Sequence, residues 1–266
     1  MEDVRIVFAT FSSGFVPKVL SFSTFDPCMC VIDEASQVVA NQTFPEDLKM
    51  KKMVVVGDPN QLPPLPPHAE AKEKCLNASI LDQIMRKRDR FSCVTLGEQY
   101  RCHRDIIRWS NSCFYQNKLV NRTRDANTIR CALKPSPQRK FDKLYDPFVF
   151  IDTSLQKDVE KRTGTFEQIQ YNTIGFAEEK NYTYINIAEA DIAIEHYKNL
   201  RKMRIDPASI AILTPYTGQI DLLQTKIEEL KDFKDCHLTK IGTVDSAQGQ
   251  GYDVVIFSMV RSNPQS

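Results

Sequence analysis

The chain has 266 residues, of which 42% are apolar and 26% are charged. This composition is typical of a globular protein with one large domain or two small ones. Its 35 basic and 34 acidic side chains leave a formal charge of +1, which excludes a global basic field, so any contact with nucleic acid must be local. Because the sequence shows no N-terminal targeting pattern and no apolar stretch of bilayer-spanning length, we expect an intracellular location, cytoplasmic or nuclear.

Short apolar runs in both halves of the chain predict strands, because each run is too short for a buried helix. They lie at Val4–Ala9, Met29–Ile32, Met53–Val56, Phe148–Ile151, Ile210–Leu213 and Val254–Phe257. Their hydrophobicity is continuous rather than alternating. This predicts that both faces of each strand are covered, as in a parallel sheet flanked by helices.

Helices are predicted between the strands where apolar residues recur at steps of three or four. Ile187–Met203 and Ile220–Leu230 show this pattern, and a basic helical stretch lies at Ile80–Arg90. The polar segments 122–146 and 156–184 are interpreted as loops or insertions. The chain is therefore predicted to fold as two α/β units in tandem.

The first chemical signal is a pair of carboxylates at the end of a predicted strand. Within Cys28–Gln37 the apolar run ends in Asp33 and Glu34, at the edge where open α/β sheets bind ligands. This is the Walker B arrangement, in which Asp33 suits Mg²⁺ and Glu34 is free to take a proton from an attacking water. Taken alone, the pair favours another interpretation, namely exposed acids that cap a following helix.

A second predicted strand, Met53–Val56, ends in Gly57–Pro64, so two neighbouring strand ends present polar residues. Gly57 allows a tight exit, and the prolines stiffen the loop. Gln61 can donate to a phosphate oxygen or orient the attacking water. A proline-rich turn with a surface glutamine is the alternative, but it does not explain why the turn follows an acidic strand end.

Two further segments carry weaker signals. Near the predicted junction of the units, Glu98–His103 places Tyr100 beside Arg101. Such a pair can stack on a base and neutralise phosphate charge, or it can be an ordinary surface pair. In Gly242–Asp253 the backbone amides freed by the glycines and the hydroxyls of Thr243 and Ser246 can hold phosphate oxygens, although a glycine-rich turn explains the pattern equally well.

An ordered set of motifs links these segments. The motifs are DEASQ, GDPNQLPP, EQYRCH, TPYTGQ and GTVDSAQGQGYDVVIFSMVRSN. Together they resemble superfamily 1 helicases of the nonsense-mediated-decay RNA helicase type, with DNA2/NAM7-like AAA helicase domains, and the likeness runs from Thr10 to Asn263. The resemblance implies two tandem RecA-like lobes of the P-loop NTPase type with parallel sheets. On this resemblance we expect residues 1–96 to belong to a first lobe truncated at its N-terminus, and residues 97–266 to a second lobe that lacks its final motif.

The resemblance also implies a site for ATP and Mg²⁺. It implies that Asp33 binds Mg²⁺, that Glu34 activates the attacking water and that Gln61 senses the γ-phosphate. It further implies that Tyr100 stacks on the adenine and that Arg101 acts as an arginine finger. The other implied nucleotide contacts are Asp58 and Gly249.

A track for a single nucleic-acid strand, RNA in preference to DNA, is implied as well. The contacts with the strand backbone are short and polar, which suits the lack of a global basic charge. They are Thr10, Ser12, Ser13, Thr214, Tyr216 and Thr243.

Three departures from the family pattern leave two functions open. No Gly-x-x-x-x-Gly-Lys-Ser/Thr loop occurs, although the family has one upstream of the position of Met1. The sequence ends at Ser266, before the family's final Arg-rich motif, and Gly251 stands where these helicases carry a glutamate that helps hold the nucleotide. One function is an ATP-dependent helicase or translocase, of which this chain is a fragment with weak or no activity alone. The other is a non-catalytic nucleic-acid or protein-binding module that keeps the fold.

Overall fold

The computed structural model describes residues 5–10, 27–39, 51–64, 78–123, 142–153, 167–171 and 182–261. These residues form a mixed α/β structure in which most strand pairs are parallel. The chain divides into two compact units. The first comprises Met1–Cys102 with Ile107–Arg122, and the second comprises His103–Ile106 with Thr123–Ser266. The assignment of residues 1–96 and 97–266 to two RecA-like lobes stays a prediction.

The helices and strands up to residue 122 are short. They are β1 (Met29–Ile32), β2 (Lys52–Val55), α1 (Ile80–Arg86), β3 (Glu98–Gln99), α2 (Arg104–Phe114) and β4 (Val120–Asn121). β1 and β2 pair in parallel, and so do β3 and β4. The predicted strand Met29–Ile32 is therefore confirmed at its bounds, and the strand predicted at Met53–Val56 forms one residue earlier.

Helix α1 begins at a capping box. The hydroxyl of Ser79 accepts a hydrogen bond from the backbone N–H of Asp82 at 3.0 Å, and the carboxylate of Asp82 accepts one from the backbone N–H of Ser79 at 3.1 Å. These bonds pair N–H groups that the first turn of a helix leaves free. The helix presents Leu81 to Ile32 and Ala35, and these three side chains form the buried apolar cluster of the first unit. α1 thus packs against the end of β1.

The second unit is built on a three-stranded parallel sheet. Its helices and strands are β5 (Gln168–Tyr171), β6 (Tyr182–Ile185), α3 (Ile187–Lys202), β7 (Ile210–Leu213), α4 (Thr217–Glu228), β8 (Lys240–Gly242), α5 (Val244–Ala247) and β9 (Val254–Phe257). The sheet order is β8-β7-β9, and every side chain of the central strand β7 is buried. The strands predicted at Ile210–Leu213 and Val254–Phe257 are confirmed at their bounds.

Helices α3 and α4 supply much of the core of this unit, so the two predicted helices are confirmed with slightly shifted ends. The buried cluster is Ala190, Ala193, Ile194, Tyr197, Leu200, Ile210, Ile212, Leu223, Ile227 and Cys236. Its members on α3 follow the predicted spacing of three or four residues, which places them on one face of the helix. None of the described helices has the length and apolar character needed to cross a membrane.

A buried polar network ties α3 and α4 to the end of β9. Gln219 is fully buried, and its side chain accepts from the backbone N–H of Asn186 at 2.8 Å and donates to Ser258 Oγ at 3.1 Å. Glu189 accepts from Ser258 Oγ at 3.0 Å and from the backbone N–H of Val260 at 2.9 Å. Because buried polar groups are costly when unpaired, this network fixes the path of the chain after β9.

Two of the predicted strands are wrong. None of the described residues in the runs Val4–Ala9 and Phe148–Ile151 is in a strand, and Phe8 and Phe150 are 92% and 72% exposed. A strand needs a neighbour to pair its backbone groups, and no described strand pairs with either run. Apolar composition alone cannot supply that neighbour.

The prediction that both strand faces are covered is confirmed for β7 and wrong for β1. Met29 and Val31 of β1 are 53% and 60% exposed, because the described residues cover only one face of the two-stranded sheet. The prediction of a loop at 156–184 is also wrong in part, since β5 and β6 pair in an antiparallel hairpin. Residues 156–166 and 172–181 lie outside the described part of the chain.

Candidate active site

The chain turns sharply after β1, where the two predicted carboxylates lie. Asp33 and Glu34 are both exposed, and Asp33 Oδ1 accepts the backbone N–H of Glu34 at 2.9 Å. Glu34 has a φ of 50°, a left-handed conformation that costs a non-glycine residue about 1–2 kcal/mol. The turn lets the next residue, Ala35, donate its backbone N–H to the carbonyl of Val56 at 2.9 Å. The acidic end of β1 is therefore fastened to the end of β2.

Gly57 follows β2 and packs closely on this turn. A Cβ atom at position 57 would lie 3.0 Å from the backbone nitrogen of Ala35, 3.1 Å from that of Ser36 and 3.1 Å from Leu81 Cδ2. Real Cβ atoms rarely come so close to backbone, so a glycine is needed here. The structure thus brings the segment that begins at Gly57 to the sheet edge that carries the carboxylates, as the sequence predicts.

Asp58 organises the segment that contains Gln61. Its Oδ1 accepts the backbone N–H of Asn60 at 3.0 Å, and its Oδ2 accepts Nε2 of Gln61 at 3.0 Å. The same Oδ2 accepts the hydroxyl of Tyr115 at 2.7 Å, and Asn60 Nδ2 donates to the carbonyl of Phe114 at 3.4 Å. The loop after β2 is therefore held to the C-terminal end of α2.

Tyr115 contacts the candidate site, although none of the sequence motifs indicates it. Burial, together with its hydrogen bond to the Asp58 carboxylate, raises the pKa of Tyr115 to about 12, so its hydroxyl stays protonated and able to donate to a higher pH than that of an ordinary tyrosine. A separation of 57 residues from Asp58 leaves no local pattern that could have indicated the contact.

The segment around Tyr100 is shaped by Gln99. Its Oε1 accepts the backbone N–H groups of Arg101 and Cys102 at 3.0 and 3.1 Å, and its Nε2 donates to the carbonyl of Cys102 at 2.8 Å. The side chain of Gln99 therefore closes a turn that leaves Tyr100 and Arg101 exposed. Among the described residues, the Arg101 guanidinium has no hydrogen-bonding partner, so it is available to an anion.

Tyr100 is oriented by a charged neighbour. Its hydroxyl donates to Glu98 Oε2 at 2.6 Å, while Glu98 Oε1 accepts from Arg122 Nη2 at 2.6 Å. The hydrogen bonds from Arg122 and Tyr100 lower the pKa of Glu98, and the pKa of Tyr100 is raised in turn. The ring of Tyr100 remains 68% exposed, so its face is open for stacking. No hydrogen bond within the described residues joins Tyr100 or Arg101 to Gln61 or the acidic pair.

The residues of the second unit that are predicted to contact the nucleic-acid strand differ in burial and in hydrogen bonding. Thr214 is fully buried, and its Oγ1 accepts the backbone N–H of Tyr216 at 3.5 Å. The half-buried Tyr216 has its ring edge-on to Tyr184, with centroids 5.4 Å apart. Thr243 caps α5, since its Oγ1 accepts the backbone N–H of Ser246 at 3.2 Å. A contact between nucleic acid and Thr214 through its hydroxyl would therefore require the side chain to become accessible.

The remaining predicted positions are glycines and the N-terminal segment. Gly249 has a φ of 75°, and neither Gly249 nor Gly251 has any atom within 4 Å of where a Cβ would stand. The backbone at both glycines is thus open to a ligand. In the first unit Thr10 is exposed, while Ser12 and Ser13 lie outside the described residues.

The donor set after β1 suits Mg²⁺. This cation prefers carboxylate oxygens and keeps several waters, so it needs only one or two protein ligands. Asp33 meets that need, because Oδ1 is engaged by the Glu34 N–H while Oδ2 accepts no hydrogen bond from the described residues. In the described part of the chain no group of three or more His, Cys, Asp or Glu side chains could hold a metal.

Comparison with known proteins assigns the family. Residues 76–266 match a family model described as an AAA domain, and residues 1–66 match a second model with the same description. These matches cover the two strand ends and the later motifs. The chain belongs to the DNA2/NAM7-like superfamily 1 helicases.

Similar helicases come from plants, fungi and animals. The chain is 28% identical to "Probable helicase MAGATAMA 3" of Arabidopsis thaliana, over 99% of this chain and 30% of the relative. It is 29% identical to "DNA replication ATP-dependent helicase/nuclease dna2" of Schizosaccharomyces pombe, over 100% of this chain and 18% of the relative. It is 28% identical to "Probable helicase senataxin" of Homo sapiens, over 89% of this chain and 8% of the relative. The chain therefore spans about a third or less of the length of these relatives.

Replacing Gly57 by alanine tests how the two strand ends of the first unit are held together. The new methyl group would meet the backbone of Ala35 and Ser36, so Gly57→Ala should lower the free energy of unfolding of the first unit by about 1–3 kcal/mol. Urea unfolding measures the change. Gly97→Ala is the matched control, since the nearest atom to its new Cβ, Lys118 O, lies 3.8 Å away. Equal effects of the two variants would contradict the close approach.

A second prediction concerns alkaline pH. The folded-state pKa of Tyr115 lies near 12, above the ordinary value of about 10, so its contribution to folding is complete below pH ~10 and is lost as the pH rises towards ~12. Tyr115→Phe should therefore make the fall in unfolding free energy over this range shallower. Part of the fall should remain, because burial also raises the pKa of Tyr197 to about 12. Urea unfolding at a series of pH values tests this, and an unchanged slope in Tyr115→Phe would contradict it.

Proposed function

We propose that the chain is part of the motor of an ATP-dependent nucleic-acid helicase or translocase, which couples ATP hydrolysis to movement along a single strand. The observation that carries the proposal is the meeting of two strand ends at one sheet edge. Asp33 and Glu34 follow β1, Gly57–Gln61 follows β2, and the backbone bond between Ala35 and Val56 joins them. Such edges are where open α/β sheets bind nucleotides. Membership of a helicase family supports the same assignment.

In this proposal the residues after β1 and β2 serve the γ-phosphate. Asp33 would hold Mg²⁺, and the bound cation would supply positive charge that neutralises the phosphates. Glu34 accepts a proton from the attacking water. Gln61 orients that water or contacts the γ-phosphate, and Asp58 fixes the Gln61 amide.

The other motif residues bind the nucleotide from different segments. The exposed ring of Tyr100 stacks on the adenine, and Arg101 compensates the charge that develops on the phosphates. Gly249 lets the backbone approach the ligand closely. These roles require the two RecA-like lobes assigned to residues 1–96 and 97–266.

The proposed track for a single strand uses polar residues of both units. They are Thr10, Ser12, Ser13, Thr214, Tyr216 and Thr243. We propose RNA rather than DNA as the strand, on the resemblance to RNA helicases. Because the names of several relatives specify DNA helicases, this preference needs its own test.

A non-catalytic binding module is the second candidate function. It is favoured by Gly251, which stands where the family carries a nucleotide-holding glutamate. The open space around Gly251 means that packing does not require a glycine there. Under this alternative the chain keeps the fold and binds nucleic acid or protein without turnover.

The first test compares the 266-residue chain with an extended version, in which a Gly-x-x-x-x-Gly-Lys-Ser/Thr segment is fused before Met1. The chain alone should show little ATPase activity even with RNA, whereas the extended version should show RNA-stimulated turnover. In the extended version Glu34→Gln should lower kcat by about 10²–10⁴-fold, because it removes the general base.

Glu228→Gln is the matched control for this test, since Glu228 is an exposed glutamate of α4, and it should leave kcat unchanged. An extended version that binds RNA but does not turn over ATP would favour the binding module. Rapid turnover by the 266 residues alone would contradict the expected weakness of the isolated chain.

The second test asks whether the chain binds RNA more tightly than DNA. Fluorescence anisotropy with RNA and DNA oligomers of the same length and sequence should give the lower Kd for RNA, because 2′-hydroxyl groups distinguish the two. Added salt should weaken the binding of both oligomers. The logarithm of the binding constant should fall only gently with the logarithm of the salt concentration, since the proposed contacts are polar rather than cationic. Equal affinities would remove the RNA preference and leave the proposed motor function in place.

A further inference from the structure

We propose that Tyr115 is a positioning residue for ATP hydrolysis, which clamps Asp58 and through it sets the orientation of Gln61. This inference rests on the proposed function, because it gives Gln61 its proposed task. The Tyr115 hydroxyl donates to Asp58 Oδ2 at 2.7 Å, and Gln61 Nε2 donates to the same oxygen at 3.0 Å. One carboxylate oxygen thus joins a helix end to the catalytic amide.

The orientation of the Gln61 amide follows from this clamp. Since Nε2 donates to Asp58, the other atom of the amide, Oε1, points elsewhere and accepts no hydrogen bond from the described residues. An amide oxygen in that state can accept a hydrogen bond from a water molecule. If Asp58 were free to rotate, the amide would lose the partner that decides which of its two ends faces the water.

Tyr115 is suited to this task because its own position is fixed. Its backbone N–H donates to the carbonyl of Asn111 at 3.1 Å, and its carbonyl accepts the backbone N–H of Lys118 at 2.9 Å. The side chain of Asn111 then closes the turn by bonding both backbone groups of Leu119 at 3.0 Å. The hydroxyl therefore projects from a helix end whose backbone is hydrogen-bonded on both sides.

A second link runs parallel to the first. Asn60 Nδ2 donates to the carbonyl of Phe114 at 3.4 Å, and the backbone N–H of Asn60 donates to Asp58 Oδ1 at 3.0 Å. Both oxygens of Asp58 are thus engaged, and the loop contacts two consecutive residues, Phe114 at the end of α2 and Tyr115 just after it. The Tyr115 bond is the shorter link and is made to a charged group, so it dominates the clamp.

The deciding experiment observes the Gln61 side-chain amide by NMR in the 266-residue chain, with Gln61→Asn used to assign its resonances. Tyr115→Phe keeps the ring and removes only the hydroxyl, so it should shift the Gln61 Nε–H₂ resonances and accelerate their exchange with solvent. Tyr252→Phe is the matched control, because that hydroxyl donates to the side chain of Gln250 and not to Asp58. Gln61 resonances that are the same in wild type and Tyr115→Phe would overturn the clamp.

The functional arm uses the extended version. Tyr115→Phe should lower kcat about tenfold or more while leaving the KM for ATP nearly unchanged, as expected when a reacting water is misplaced. In a Gln61→Ala background the same substitution should have no further effect, since Tyr115 acts through Gln61. A full additional loss in that background, or an unchanged kcat in Tyr115→Phe alone, would overturn the positioning role.

Two checks separate this inference from other failures. If Tyr115→Phe unfolds the first unit, two other variants replace it. Asn60→Ala keeps the Tyr115 bond and removes only the link to Phe114, so it should shift the Gln61 resonances less than Asp58→Asn does. The opposite ranking would overturn the clamp. If the wild-type extended version does not hydrolyse ATP, the proposed function fails, while the Gln61 resonances still decide whether Tyr115 holds Asp58.

Discussion

The close approach of two strand exits at Gly57 is the constraint on which the candidate site depends. A side chain at this position would strike the backbone nitrogens of Ala35 and Ser36. Without one, Ala35 can bond to Val56, and the turn after β1 lies directly against the loop after β2. The left-handed backbone of Glu34 belongs to the same arrangement, since the chain must reverse within two residues of the strand end. The sheet edge therefore receives the acidic pair and the loop that bears Gln61 together.

Hydrogen bonds rather than burial hold this edge in place. Among the described residues, the buried apolar cluster of the first unit contains only Ile32, Ala35 and Leu81, and one face of β1 is largely exposed. The second unit has a much larger core around β7. When the apolar core is small, specific polar contacts must hold the loops in place. Hydrogen bonds from several donors to one buried or half-buried carboxylate are among the strongest of these contacts. Asp58 has that role in the first unit, as Glu189 has in the second.

Structural features that depend on neighbouring residues could be predicted from the sequence, whereas features that depend on contacts between distant residues could not. The strands at Met29–Ile32 and Ile210–Leu213 were predictable, because a short apolar run that ends in polar residues is a local pattern. The runs at Val4–Ala9 and Phe148–Ile151 have the same pattern but lack a pairing strand among the described residues, and pairing is not local. For the same reason the positions of Asp33, Glu34 and Gln61 at neighbouring strand ends could be predicted, whereas the contact of Tyr115 with Asp58 could not.

Both units place strain at a strand end. Glu34 lies two residues after β1 with a φ of 50°, and Val260 lies three residues after β9 with a φ of 69°. Left-handed conformations are unfavourable for β-branched residues in particular, so the surrounding contacts must impose them. For Val260 those contacts are the carboxylate of Glu189 and the amide of Asn186, which donates to the Val260 carbonyl at 3.0 Å. The carboxyl ends of parallel strands are where α/β sheets bind ligands. In each unit, polar contacts hold a residue near this edge in a left-handed backbone conformation that it would otherwise avoid. The positions of the neighbouring side chains are then set by those contacts and not by the intrinsic preference of the backbone.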